Sequence, residues 1–103
     1  MNSNKQVDLL DNLQNLLQKQ IEMVRSSDLR AVETIAQQAE SIVDEMIKTE
    51  ELRLPEFSER RKQITELYEQ LELMLSAAKD STGKQLRQIN DGLRTLHAYS
   101  DAR

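Results

Sequence analysis

The chain has 103 residues, with hydrophobic residues at 38%, aromatic residues at 3%, two glycines, one proline and no cysteine. That length is one domain's worth, and the wealth of Leu, Glu, Gln, Lys and Arg over β-branched and aromatic residues predicts an all-α fold, while the missing cysteine excludes disulfides and thiolate metal sites. The net charge of −4 lies wholly within residues 1–54, residues 55–103 being balanced, so no basic face stands ready for nucleic acid.

The opening Met1-Asn2-Ser3-Asn4-Lys5 starts no secretory signal, and no run approaches the ~18 consecutive apolar residues of a membrane span. A cytoplasmic protein without membrane contact is expected. From residue 5 to about 25, Leu9, Leu10, Leu13, Leu16, Leu17, Ile21 and Val24 recur at steps of three and four, the stripe of a first helix. Ser26-Ser27-Asp28 interrupts it, as a stop followed by an N-cap would; because the stripe stays roughly in phase, an unbroken helix is the alternative.

The second helix is expected over about 28–52, on Leu29, Val32, Ile35, Ala36, Ala39, Ile42, Val43, Met46 and Ile47, with the two alanines small enough for a close helix neighbour. Pro55 disfavours α conformation at Leu54 and suits the first turn of a new helix, where Glu56 and Glu59 favour the positive end of the macrodipole. From Pro55 one stripe runs through Phe57, Ile64, Leu67, Tyr68, Leu71, Met74, Leu75 and Ala78, then Leu86, Ile89, Leu93 and Leu96. Lys79-Asp80-Ser81-Thr82-Gly83 would ordinarily mark a break, yet the apolar phase is preserved across it. The phase favours one long helix over about 55–100, locally weak at 79–83, over two helices and a turn. The expected architecture is an antiparallel bundle of three long helices in a single domain, 1–103.

Chemistry is scarce. The single histidine, His97, has Arg94 three residues before it, so the Glu-x-x-His pattern of helical di-metal sites is absent. Acidic pairs such as Asp44-Glu45 and Glu50-Glu51 fall off the apolar stripe and read as solvated surface. Arg60-Arg61-Lys62 sits among Glu59, Glu66 and Glu69 and reads as a salt-bridged helix face. No catalytic, cofactor-binding or metal-ligating residue emerges, and an enzyme is not expected.

What remains is apolar surface. A first helix spans ~30 Å, whereas a helix from 55 to 100 would span nearly ~70 Å at 1.5 Å per residue. The distal stripe of Leu86, Ile89, Leu93, Leu96 and Tyr99 would then lack an intramolecular cover. Such a stripe marks a protein interaction site, either a groove for another amphipathic helix or, in the alternative, the seam of a homodimeric coiled-coil scaffold or adaptor.

The segment Leu13-x-x-Leu16-Leu17-x-x-Gln20-x-Glu22, then Ser27-Asp28-Leu29-x-x-Val32 and Ile35 with a long amphipathic helix after it, resembles the small flagellar type III export chaperones of the FlgN/FliT type. The ending Leu93-Arg94-Thr95-Leu96-His97-Ala98-Tyr99 is similar to the Ala-Tyr close of several members. The resemblance covers nearly the whole chain. It implies a cytoplasmic chaperone without ATPase activity that holds the C-terminal helical region of a hook–filament junction or filament-cap protein and delivers it to the export apparatus. Client contact would fall on the C-terminal stripe.

Overall fold

The first helix ends by satisfying its own carbonyls. Ser27 adopts a left-handed backbone, φ 63°; its N–H reaches the Val24 carbonyl at 3.0 Å and the Asp28 N–H reaches that of Met23 at 2.8 Å. This is the paired hydrogen-bond pattern of a Schellman stop, with serine where glycine is usual. Asp28 then starts the next helix, its carboxylate accepting from the Ala31 N–H at 3.3 Å.

The computed structural model describes residues 2–49, 53–79 and 81–101, with side chains at 7–49, 53–79 and 81–98. Within them lie four helices, α1 (Asn2–Arg25), α2 (Leu29–Ile47), α3 (Ser58–Ala77) and α4 (Gly83–Asp101), and no strand. The all-α class stands; the count of three helices does not. The second helix also stops short of position 52, at Ile47, where Lys48 and Thr49 turn their N–H groups back to the carbonyls of Glu45 and Met46. Leu54 is extended (ψ 149°) ahead of Pro55, and Pro55–Phe57 make one 3-10 turn that leads into α3.

The larger correction concerns the expected single helix over 55–100. Ala78 leaves α3 in an extended conformation, ψ 125°, and the Ser81 hydroxyl lies 2.6 Å from the Leu75 carbonyl and 3.1 Å from that of Ala78, so it supplies a donor to the frayed end of α3. Thr82 and Gln85 then cap α4 reciprocally: the Gln85 N–H donates to Thr82 Oγ1 at 3.3 Å, and the Thr82 N–H donates to Gln85 Oε1 at 2.9 Å. A stop and a start, each with its orphan groups bonded, outweigh a phase that merely permits continuity.

The two helical hairpins pack side by side. Helix α1 lies against α2 and α3, and α4 against α3 and α2, so α1 and α4 occupy opposite corners. Arg60 near the start of α3 bonds Asp11 and Gln14 of α1, and Gln85 near the start of α4 bonds the Leu29 carbonyl at the start of α2. The α1–α3 and α2–α4 pairs are therefore parallel, and each hairpin is antiparallel within itself. Leu10, Leu13 and Leu17 of α1, Val32, Ala39, Val43 and Met46 of α2, Ile64, Leu71 and Leu75 of α3, and Ile89 and Leu96 of α4 meet in one core. The bundle is 42 Å long, far short of the ~70 Å that an unbroken last helix would need.

Candidate partner-binding surfaces

The expected client groove is assembled on one helix but not left open. Ile89 and Leu96 are fully buried, and Leu86 and Leu93 are half-buried against the same core. The side chain of Tyr99, the fifth residue, lies outside the described residues. The turn at 78–82 folds α4 back over α2 and α3, which supply the cover that a straight helix would have lacked. With α3 and α4 separate and of similar length to α1 and α2, there is no length mismatch to leave a groove open or to require two-fold pairing.

Two close approaches hold α4 in place. At Gly92 the ring of Tyr68 presses on the α4 backbone, and a methyl group there would meet Tyr68 Cε1 at 2.8 Å. Burial pushes the Tyr68 phenol well above its usual value, with the Glu40 carboxylate adding to the rise. At the other end, Gln85 Nε2 donates to the Leu29 carbonyl at 3.1 Å. A second buried glutamine, Gln20, donates from Nε2 to the Val32 carbonyl at 3.1 Å and ties α1 to α2; its Oε1 is buried and finds no partner among the described residues.

Within the basic cluster, Arg60 reaches across to a neighbouring helix. Arg60 sits 2.6 Å from the Asp11 carboxylate and 3.1 Å from Gln14, joining α3 to α1, and Arg61 donates to the Leu54 carbonyl at 3.1 Å. His97 is exposed over a shallow groove between α4 and α3 that also carries Arg61, Lys62, Glu66 and Glu69. Among the described residues no group of three or more His, Asp or Glu side chains assembles to hold a metal ion, and no helix is long and apolar enough to cross a membrane.

A cleft of about 330 Å³ opens at the end of the bundle where α1 and α3 finish. Val24, Leu29, Met74 and Ala78 form its apolar walls, and Arg25 and Lys79 stand at its rim. Sequence reading missed it because it exists only once the chain turns at both 26–28 and 78–82. The signal for the second turn was present as Thr82-Gly83-Lys84-Gln85, a Thr followed three residues later by Gln, which is a capping-box pattern.

No family model, no curated protein and no solved structure matches this chain.

Proposed function

We infer that the protein is a helix-binding export chaperone of the FlgN/FliT type, which holds the C-terminal amphipathic helix of a hook–filament junction or filament-cap protein and passes it to a flagellar type III export apparatus in the cytoplasm. The reading is supported by the sequence resemblance. The observation that carries it further is that Leu86 and Leu93 of α4 pack against the core yet keep part of their surface outside it. A helix that rests on two neighbours and keeps leucines part-exposed offers a partner helix apolar surface to extend. The work of such a protein is stoichiometric: it shields a segment that would otherwise aggregate, and releases it intact.

Burial narrows the residues that can serve. Ile89 and Leu96 hold the core, so a charge at either breaks the fold before it reports on binding. Leu93→Asp is the informative change, since Leu93 touches both core and solvent. Titration calorimetry of the wild-type chain against C-terminal segments of the junction and cap proteins should give one-to-one binding with a negative heat-capacity change, the mark of buried apolar surface. Leu93→Asp should weaken that binding while the helical circular dichroism persists. Absence of heat with every such segment would remove the chaperone reading.

A further inference from the structure

Apolar walls and two uncommitted cations meet at the end cleft. Arg25 and Lys79 are exposed, and among the described residues neither forms a salt bridge or side-chain hydrogen bond. Among the described residues no carboxylate lines the opening. Asp28, next along the chain, engages its carboxylate with the Ala31 N–H. The helix C-termini would ordinarily hold such cations through their free carbonyls, but here the turn at Ser27 and the Ser81 hydroxyl engage several of them. Although the chain carries a net charge of −4, these two cations offer a negatively charged partner attraction at this cleft.

The volume lies at the lower end of the ~300–1,000 Å³ typical of ligand sites. It suits one or two large side chains and is too short for a helix laid lengthwise. We propose that this cleft seats one large apolar side chain of an acidic amphipathic helix from a partner protein, whose carboxylates one turn to either side pair with Arg25 and Lys79. On a helix, residues three and four apart share a face, so an anchor flanked by Glu at those spacings presents both features together. The inference rests on the chaperone reading and adds to it a docking point and a charge for the client.

The test uses two synthetic 14-residue helical peptides, one with leucine anchors flanked by glutamates and one with lysines in their place, against the full chain. At low salt the Glu peptide should bind about tenfold or more tightly than its Lys twin, because like charges at a docking rim reject the wrong partner. In spectra of ¹⁵N-labelled protein the Glu peptide should shift the amides of residues 24–29 and 74–79. The double variant Arg25→Glu/Lys79→Glu should invert the preference between peptides, and Ala77→Trp, which fills the cleft from its exposed edge, should weaken the Glu peptide by about tenfold. If a variant fails to fold, the wild-type spectra still decide. Equal affinity for both peptides, no binding, or shifts confined to other residues would overturn the proposal. Running junction and cap segments in the same spectra separates the two readings. Client binding that leaves 24–29 and 74–79 unmoved refutes the cleft and spares the chaperone. A Glu peptide seated in the cleft, with every client segment silent, does the reverse.

Discussion

The hydroxyl end of the Tyr68 ring occupies the space beside Gly92: a Cβ added at Gly92 would lie 2.8 Å from Tyr68 Cε1 and 2.9 Å from both Cζ and the hydroxyl. Glycine inside a helix costs up to ~1 kcal/mol relative to alanine, and here the missing methyl makes room for a buried ring. Gly92→Ala should therefore destabilise the fold by about 1–3 kcal/mol, the range of an overpacked core, against its own gain in helix propensity. Gly83 provides the control, because nothing stands within 4 Å of the corresponding Cβ. Gly83→Ala should be neutral or slightly stabilising. Urea midpoints of the two variants make the comparison.

The same tyrosine sets a limit at high pH. Burial first, and Glu40 second, raise the phenol in the folded state, whereas in the unfolded chain it ionises near its usual ~10. Below that pH the stability is fully present. Above it the unfolded state releases a proton that the folded state keeps, so stability falls by about 1.4 kcal/mol per pH unit until the folded phenol itself ionises. Denaturation measured between pH 9 and 11 should show this extra slope in the wild type and lose it in Tyr68→Phe. Equal slopes in the two proteins would mean that the ring is not shielded from solvent.

Ser27 holds a backbone angle that favours glycine. A non-glycine residue in the left-handed region costs roughly 1–2 kcal/mol, partly offset by the lower entropy of its unfolded chain. Ser27→Gly should raise stability by about 0.5–1 kcal/mol, and the β-branched Ser27→Val should lower it. Thermal melts of the pair test whether the chain turns at Ser27.

Thr82 distinguishes a hairpin from a continuous helix by the sign of one effect. As the N-cap of α4, it accepts the Gln85 N–H, and Thr82→Ala should cost about 0.5–2 kcal/mol. Were residues 79–83 part of one helix, alanine would replace a weaker helix former and the protein would gain stability. A loss in chemical denaturation supports the turn; a gain contradicts it.

The helical class was legible from the three-and-four spacing of Leu13, Leu17, Val32, Val43, Ile64 and Leu71, because burial of one stripe per helix is what that spacing encodes. The stop at Ser27 was legible as well, since small polar residues compete for backbone groups. The turn at 78–82 was misjudged because an apolar phase reports which face of a helix is buried and is silent about the direction of travel. Ile64, Tyr68, Leu71 and Leu75 face the core from α3, and Ile89, Gly92 and Leu96 face it from α4, with the chain reversed between them. The capping pair at Thr82 and Gln85 held the deciding information in four residues. The end cleft lay beyond any linear reading, since Val24 and Met74 become neighbours only through packing.

The order in which the helices neighbour one another divides the chain at its middle. Residues 2–47 and 58–101 each form a hairpin closed by a short turn, and the core is the seam between those halves. In assembly terms the protein is two partners joined by a tether. Residues 48–57 set the local concentration at which the second half finds the first, so lengthening that tether should slow their docking while leaving each hairpin's own turn chemistry untouched.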